Sequence, residues 1–385
     1  MTKNNLYVDI HVLQTVPTSN INRDDTGAPK TAIYGGATRS RVSSQSWKKA
    51  VREGFKKDSE EHDWLTGFRT KRTATLLANE FVKQDSSLSF DDAREKAKKI
   101  LSDMGLKFDK AKKTDKNKDK DFETKVLLFF SPGQLRKLAE YVLSHDEIDD
   151  DKIDKKEKKK ILKEIKDILN GNQSLDLALF GRMVADDPEL NVDASSQVAH
   201  AISTHEVVPE FDFFTAVDDA KRTDESGSAM LGTLEYNSSM LYRYANVNMS
   251  ELIHNLGLEL AQVGLKEFIK NFALMMPTGH QNSYANRTVP QYVLVTIRKD
   301  TPVNLVSAFE TPIQSNNGYA KKSIKRLEDE FDNTSSWLET PIASFVNANK
   351  EFETTVGKRV KNMSELLDDI STVVTKRVEN EDTDD

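Results

Sequence analysis

The order of strand-like and helix-like segments is the feature that most constrains the fold of this chain. Residues 6–16 alternate apolar with polar side chains, with Asp9 and His11 on the polar side, which is typical of a half-buried strand. A loop rich in Asn, Asp, Gly and Pro follows over residues 17–38. The chain therefore begins with a strand and a loop long enough to serve a function.

Helix-like and strand-like segments then alternate. Ser43 and Ser44 precede a helix whose apolar residues Trp47, Val51 and Phe55 recur at four-residue spacing. Three later runs are strand-like, over 175–184, 240–247 and 291–297. A helix is predicted over 257–275, between the last two of them. This order predicts an α+β fold built on a split βαβ sandwich of the ferredoxin or RNA-recognition-motif type.

A helical lobe is predicted between the first helix and the second strand. Ser131-Pro132 is a start signal for one of its helices, and Asp154 with Glu157 has the spacing of a capping box for another. Within this lobe, residues 107–125 mix Lys with Asp and have few large apolar side chains. We expect that stretch to be a mobile, solvated excursion.

Composition narrows the classes of function. The 385 residues include 55 Lys and Arg against 62 Asp and Glu, and this net charge of −7 argues against nucleic acid unless the positive charge is gathered locally. The sequence has no cysteine, which excludes a disulfide scaffold and a thiolate nucleophile. The N-terminus has no signal-like apolar run, so we expect a cytoplasmic protein without a membrane segment.

A basic segment from Arg23 to Lys57 is the first candidate for a binding site. Arg39 and Arg41 precede a helix N-terminus that also offers hydroxyl groups, and both features favour phosphate oxygens. An ordinary capped helix with a solvated basic face explains the same residue types. The segment alone leaves both interpretations open.

Two other segments are candidates for contacts with bases. Phe180-Gly181-Arg182-Met183 ends a predicted strand and could meet a base, although composition favours Met183 as a core residue. Residues 200–232 are too long for a hairpin turn, and they include the exposed-looking pair Phe213 and Phe214. We expect them to project as an arm that contacts nucleic acid, a neighbouring subunit or both.

Catalytic patterns are weak in this sequence. Asp24 and Asp25 with His11 could hold a metal or act as acid and base, but adjacent aspartates in a loop more often serve turns. No Walker loop, GxSxG motif or zinc spacing is present. We therefore predict no catalytic residue, no metal and no cofactor.

Several motifs in a fixed order give the chain a family resemblance. The motifs are Ile10-His11-Val12-Leu13, Asn22-Arg23-Asp24-Asp25, Tyr34-Gly35-Gly36, Arg41-Val42-Ser43-Ser44-Gln45-Ser46, Ala178-Leu179-Phe180-Gly181-Arg182-Met183, Ala199-His200-Ala201-Ile202-Ser203-Thr204-His205, Phe213-Phe214-Thr215-Ala216-Val217-Asp218-Asp219 and Tyr242-Arg243-Tyr244-Ala245-Asn246-Val247. With them the chain resembles the backbone subunit of the type I-E CRISPR Cascade surveillance complex, the CasC family.

The resemblance implies a right-hand shape with a palm, fingers and a thumb. It places the palm at 1–57, 175–199 and 233–378, with the C-terminal helices included, the helical fingers at 58–174, the thumb at 200–232 and a disordered acidic tail at 379–385. Copies of such a subunit form a filament along one CRISPR RNA, and the thumb of one copy kinks the guide held by its neighbour. The short stretches of guide bases between kinks stay open for pairing with target DNA.

The resemblance also implies which residues bind RNA. The palm residues would hold guide phosphates, Met183 would pack at a kinked base, and Phe213 and Phe214 would lie near the displaced nucleotide. The full predicted set is Arg23, Lys30, Arg41, Ser43, Gln45, Lys48, Lys49, Arg52, Arg182, Met183, Thr204, His205, Phe213 and Phe214. Expected partners are CRISPR RNA, target DNA, further copies of the chain and the other Cascade subunits.

Two alternative functions follow from other features. Backbone subunits of related type III complexes cleave RNA with a loop aspartate, so Asp24 or Asp25 could make this chain an endoribonuclease. A generic single-strand RNA chaperone is the second alternative.

The sequence departs from the family pattern at Ala37-Thr38, where relatives often have basic residues. This departure puts a contact with DNA at that position in doubt.

Overall fold

The computed structural model describes residues 5–59, 62–110, 118–145, 148, 153–184, 187–216 and 230–382. The chain divides into two compact units. The sheet unit comprises Met1–Gly54, Gln197–Asn248 and Leu265–Asp385, and the helical unit comprises Phe55–Ser196 and Met249–Gly264. Among the described residues, no helix is both long and apolar enough to cross a membrane.

The described strands, in chain order, are β1 (Tyr7–Ser19), β2 (Thr31–Tyr34), β3 (Ala37–Val42), β4 (Phe68–Thr70), β5 (Leu128–Phe130), β6 (Ser196–Val198), β7 (Ala201–Ser203), β8 (Glu210–Ala216), β9 (Met230–Asn248), β10 (Tyr292–Arg298), β11 (Ala343–Ala348) and β12 (Lys358–Arg359). The helices are α1 (Ser44–Asp58), α2 (Thr73–Gln84), α3 (Phe90–Asp103), α4 (Pro132–Leu143), α5 (Lys155–Asn170), α6 (Leu175–Phe180), α7 (Met249–Leu256), α8 (Leu258–Leu274), α9 (Gln281–Tyr284), α10 (Ala320–Asn333) and α11 (Met363–Asp382).

The centre of the sheet unit has the predicted ferredoxin-like topology. Its strands lie in the order β10-β1-β9-β7, and each pairs antiparallel with its neighbour. Helix α1 connects β1 towards β7, and α8 connects β9 to β10. The sheet continues through β11 and β12 on one side and through β3 and β2 on the other. The α+β prediction is therefore confirmed.

Both faces of the central sheet are covered. On one face, Arg243 of β9 lies against Trp47 of α1 and Phe272 of α8. Tyr242 points to the opposite face, because side chains alternate along a strand, and its ring lies 5.2 Å from that of Phe309. A 3₁₀-helix, Leu305–Phe309, and α10 pack on this second face, where Leu327 is fully buried.

The covering of the second face corrects the prediction that β1 is half-buried. Asp9 and His11 are 1% and 2% exposed, and the segment that leads into the 3₁₀-helix reaches them, since the Val303 amide donates to the Asp9 carboxylate at 3.2 Å. Burial raises the pKa of Asp9 to about 7, and the carboxylate accepts a hydrogen bond from the Tyr244 hydroxyl at 2.7 Å. Burial lowers the pKa of His11 to about 3, and its Nδ1 lies 2.9 Å from the Tyr242 hydroxyl. His11 is therefore not available for the acid–base role considered for it.

The helical unit contains two helices that begin at the predicted start signals. Ser131 forms a complete capping box with Gln134 at the start of α4, and Asp154 accepts a hydrogen bond from the Lys156 amide at the start of α5. The segment predicted as fingers, 58–174, lies inside this unit. Its core includes Leu77, Phe81, Leu101, Phe130, Leu135, Leu138, Ile161, Ile165 and Leu169.

The segment predicted as a strand at 175–184 is wrong in type. Its first six residues form helix α6, and Gly181 ends the helix at a φ of 76°. Leu175, Leu177 and Leu179 are all fully buried, and so are Asp176 and Ala178 between them, so burial does not alternate along the segment. A short, wholly buried run has no periodicity that distinguishes a helix from a strand.

Two predictions of disorder concern only partly described segments. In the 107–125 stretch, Phe108 pairs with Thr124 in an isolated bridge, and Phe122 is buried beneath the Arg94 guanidinium, 3.9 Å from its ring. Both ends of this stretch are thus packed, and 111–117 lie outside the described residues. Helix α11 extends to Asp382, four residues into the predicted tail, and 383–385 lie outside the description.

The raised pKa of Asp9 predicts a pH-dependent stability. Between the ordinary value of 3.8 and about 7, the folded chain holds a proton on Asp9 that the unfolded chain releases. The favourable contribution of the protonated carboxyl is therefore lost as pH rises towards 7. We expect the free energy of unfolding of the wild type to fall relative to Asp9→Asn by about 1 kcal/mol per pH unit over this range. Urea unfolding of both proteins at pH 4.5, 5.5, 6.5 and 7.5 measures the difference, and a pH-independent difference would contradict the assignment.

Candidate nucleic-acid interface

The loop that contains Arg23 and Lys30 is fixed against the start of α1 by Asn22. The Asn22 side-chain oxygen accepts a hydrogen bond from the Ser43 amide at 2.8 Å, and its backbone oxygen accepts one from the Lys30 amide at 2.8 Å. The Arg41 amide in turn donates to the Lys30 backbone oxygen. Loop, strand β3 and helix start are thereby held at one end of the sheet unit.

Asp24 stabilises the turn inside this loop. One carboxylate oxygen accepts hydrogen bonds from the Thr26 amide, the Thr26 hydroxyl and the Ala28 amide, at 2.9, 2.7 and 3.1 Å. The Thr26 hydroxyl is the main cause that lowers the pKa of Asp24 below its usual value. Within the described residues, no group of three or more His, Asp or Glu could hold a metal ion. The geometry gives Asp24 the role of a turn residue.

A basic cluster of Lys30, Arg41 and His200 lies beside this loop. An Arg41 guanidinium nitrogen is 3.2 Å from His200 Nδ1, and Arg41 Nε donates to the Thr31 backbone oxygen. Burial, Arg41 and Lys30 together lower the pKa of His200, which places both cations near its ring. Neither Lys30 nor Arg41 forms an ion pair with any residue the structure describes. The positive charge of the basic cluster is therefore open to an external anion.

The predicted residues of α1 differ in how far they reach solvent. Gln45 and Lys49 are exposed, whereas Lys48 and Arg52 are half-buried, and burial lowers the pKa of Lys48. Ser43 is buried, and its backbone oxygen accepts from the Ser46 and Trp47 amides. Gln45 and Lys49 can contact a ligand directly, while Ser43 fixes the helix start.

Two predicted residues of the sheet unit lie in the interior. Thr204 is fully buried, and its hydroxyl accepts a hydrogen bond from Ser323 at 2.9 Å. His205 is 6% exposed, its Nε2 accepts from the Met240 amide, and its Nδ1 lies 2.7 Å from the Glu206 backbone oxygen. The prediction placed these side chains on a binding surface. Their polar atoms instead hold β7 and the segment after it in place.

Arg182 and Met183 are neighbours in the helical unit with opposite environments. Arg182 is 6% exposed and donates to the backbone oxygens of Leu190 and Phe129. Its burial lowers its pKa to about 10. The expectation of a surface arginine is corrected by these internal bonds. Met183 is 84% exposed, which contradicts the interpretation as a core residue that composition favoured.

Strands β8 and β9 form a hairpin in the segment predicted as the thumb, and the structure describes this hairpin up to Ala216 and again from Met230. Phe213 is 64% exposed on one face. Phe214 lies on the other face, where its ring covers Gly232, and a Cβ added to that glycine would lie 2.4 Å from the ring. Phe213 is therefore largely presented to solvent, whereas Phe214 is half-buried.

Other exposed apolar residues were not predicted. Phe211 and Leu231 accompany Phe213 on the hairpin, and both are more than 60% exposed. Alternation of Phe211, Asp212 and Phe213 was the available signal, because residues two apart share a strand face. Ile33, 72% exposed on edge strand β2, had no comparable signal in the sequence.

The comparisons with known proteins concern the whole chain. A protein family described as CT1975-like protein matches residues 8–372. A chain of a "CRISPR RNA-guided surveillance complex, pre-nicking" is similar with a TM-score of 0.80 and 31% identity, over 95% of this chain and 99% of that chain. A chain of a "CRISPR RNA-guided surveillance complex" is similar with a TM-score of 0.70 and 26% identity, over the same shares. No curated protein is significantly similar in sequence.

The contrast between Arg182 and Met183 can be tested by substitution. Arg182→Met leaves buried backbone oxygens without their donor, so we expect roughly 2–4 kcal/mol of lost stability. Met183→Ala removes an exposed side chain and should change stability by less than about 0.5 kcal/mol. Urea midpoints of the two variants measure both effects, and equal midpoints would show that Arg182 is not a structural residue.

Proposed function

The chain belongs to the CT1975-like protein family, and from that membership we propose that it binds CRISPR RNA as the backbone subunit of a type I-E surveillance complex. The similar solved chains come from CRISPR RNA-guided surveillance complexes, and the correspondence covers 99% of each of them. Support for RNA as the direct ligand comes from the basic cluster. It is the one observation on which the proposal depends.

The basic cluster explains how a chain with a net charge of −7 binds a polyanion. Lys30 and Arg41 offer charge without a carboxylate partner in the described chain, and Gln45 and Lys49 add exposed donors on α1. Affinity for a nucleic-acid backbone comes mainly from phosphates that displace counterions, so local charge matters more than the total. Phosphate contacts of this kind carry no sequence information, and the guide itself supplies specificity.

Several copies then form a filament along one guide, and each thumb covers the guide held by its neighbour. The exposed hairpin face with Phe211, Phe213 and Leu231 suits this task, because aromatic side chains stack on splayed bases. Met183 offers a flexible apolar contact for a base next to a kink. The remaining predicted contacts stay predictions. Target DNA and the other subunits of the complex are the further partners that we propose.

Charge reversal tests the proposed phosphate contacts. Lys30→Glu with Arg41→Glu should weaken guide binding at least about tenfold at 0.1 M salt and reduce the slope of log K against log salt by about 1.4, because two phosphate contacts are lost. The control variant, Lys350→Glu with Lys361→Glu, makes the same change in net charge at two exposed lysines elsewhere in the sheet unit. Unchanged binding in the first variant, or an equal loss in the second, would refute the basic cluster as the contact.

We propose that the chain is not itself a nuclease. The Asp24 carboxylate is hydrogen-bonded within its turn. Among the described residues, it does not belong to a group of carboxylates and histidines that could hold a catalytic metal. The assembled complex should leave bound RNA and DNA intact with Mg²⁺ or Mn²⁺ present. Target cleavage that Asp24→Ala abolishes would establish the endoribonuclease alternative instead.

The chaperone alternative differs in the product that forms. A backbone subunit should give one complex of fixed mass with a full-length guide, because the guide and the partner subunits limit the filament. A generic chaperone should coat RNA of any length without a defined end. Mass photometry with guides of two lengths distinguishes the two, and a mass that varies freely with any unrelated RNA would support the chaperone.

A further inference from the structure

The loop after α8 in the sheet unit is strained. His280 and Ala285 flank the single turn of α9 and have φ angles of 49° and 46°, in the left-handed region that non-glycine residues rarely occupy. The Cβ of such a residue comes too close to its own backbone, so the conformation is strained. Neither residue is a glycine, so contacts with the surrounding chain must hold both in this conformation.

Unpartnered polar atoms are concentrated at the same loop. His280 Nε2, the Tyr284 hydroxyl and Asn286 Nδ2 are enclosed and have no hydrogen-bond partner in the described chain. The same holds for the side-chain oxygen of Asn20. Asn20 and Asn286 are each only 1% exposed. Buried polar groups are nearly always paired, so unpaired ones gathered in a strained segment point to a partner outside the chain.

Contacts place this loop between the Asn22–Lys30 loop and the base of the thumb. A Cβ at Gly279 would lie 2.5 Å from the Ile21 backbone oxygen, so the two backbones are in direct contact there. Asn20 Nδ2 donates to the backbone oxygens of Gly27 and Glu235, at 2.9 and 3.0 Å. The rings of Tyr236 and Tyr284 lie 6.0 Å apart. The loop thus adjoins the segment that leads into the Asn22–Lys30 loop and the β8–β9 hairpin.

The chemistry of these groups fits the base and ribose of a nucleotide. Tyr236, Tyr284 and His280 provide ring faces for stacking, and the unpartnered atoms include both donors and acceptors. Asp212 contributes to raising the pKa of Tyr284, after burial, so a negative charge already lies near that hydroxyl. A phosphate is disfavoured there, whereas a base edge or a 2′-hydroxyl is not.

We propose that Gly279–Arg287, with Asn20 and Tyr236, forms a subsite that takes the base and ribose of one guide RNA nucleotide. The subsite rests on the proposed guide-binding function and adds to it a place where the guide is read by its sugar and base. Because the unpartnered atoms are enclosed, the loop opens when the nucleotide enters. Release of the strain at His280 and Ala285 offsets part of the cost of opening.

Deleting the enclosed hydroxyl separates a structural role from a binding role. Tyr284→Phe removes an unpaired buried group, so the midpoint temperature of the free chain should stay equal or rise. Loss of its contact with RNA should weaken guide binding about tenfold, the effect of one well-formed hydrogen bond to an otherwise unpaired group. Tyr7→Phe deletes a hydroxyl elsewhere in the sheet unit and should leave binding within twofold of the wild type.

A second pair of variants tests the strained residue. His280→Gly relieves the left-handed conformation and removes the imidazole, so the midpoint temperature should rise while guide binding weakens. Asn172→Gly relieves the same kind of strain, at a φ of 52° in the helical unit, and should raise the midpoint temperature without changing binding. Opposite changes in stability and binding at His280 alone are the expected signature.

The outcomes are distinguishable from failure of the proposed function. If wild type does not bind guide RNA, the function and this subsite both fall. If wild type binds and both Tyr284→Phe and His280→Gly bind equally well, only the subsite is overturned. A lower midpoint temperature for Tyr284→Phe would show that the hydroxyl has a structural partner, which also overturns the proposal.

Discussion

The sheet unit depends on the buried guanidinium of Arg243. It lies 3.8 Å from the Trp47 ring of α1 and donates to the Phe272 and Ala273 backbone oxygens at the C-terminal end of α8. A desolvated cation over an aromatic ring contributes about 2 kcal/mol, and a helix C-terminus adds favourable partial charge. Burial lowers the pKa of Arg243 to about 9, which still leaves the group charged at neutral pH. One side chain of β9 therefore fixes both helices on the sheet, and with α1 it positions the residues that we propose to contact RNA.

A second buried arginine acts at the other end of the same surface. Arg39 of β3 donates to the Ser203 and Phe309 backbone oxygens, and so joins β3 to β7 and to the 3₁₀-helix on the second sheet face. Its neighbour Arg41 points outward to His200. The two arginines are two residues apart and share a strand face, so it is their different hydrogen-bond partners that hold one cation in the interior and the other in the basic cluster. The positive charges of this acidic chain are placed individually, some in the interior and some in the basic cluster. The net charge of the whole chain therefore does not predict what it binds.

The sequence predicted the fold class because its strands and helices have clear periods. The Trp47 face of α1 and the caps of α4 and α5 are correct, since caps and amphipathic faces are local properties. Burial by distant segments was not predictable: Asp9 accepts a hydrogen bond from the Val303 amide, and the Leu305 amide donates to the Tyr242 hydroxyl beside His11, both from more than 290 residues along the chain. The same reason explains Thr204, His205 and Arg182, whose residue types suit RNA but whose hydrogen bonds lie inside. The strain at His280 had no sequence signal, because a left-handed histidine is set by its surroundings.

We propose above all that an RNA phosphate binds beside Lys30, Arg41 and His200. In the free chain burial, Arg41 and Lys30 together hold the pKa of His200 below its usual value. A bound phosphate neutralises them and favours the imidazolium, so the pKa must rise. NMR titration of histidine-labelled protein with a short single-stranded RNA, assigned through His200→Gln, measures this shift directly. A rise of the His200 pKa on RNA binding is the predicted result, and an unchanged pKa in fully bound protein would contradict the claim.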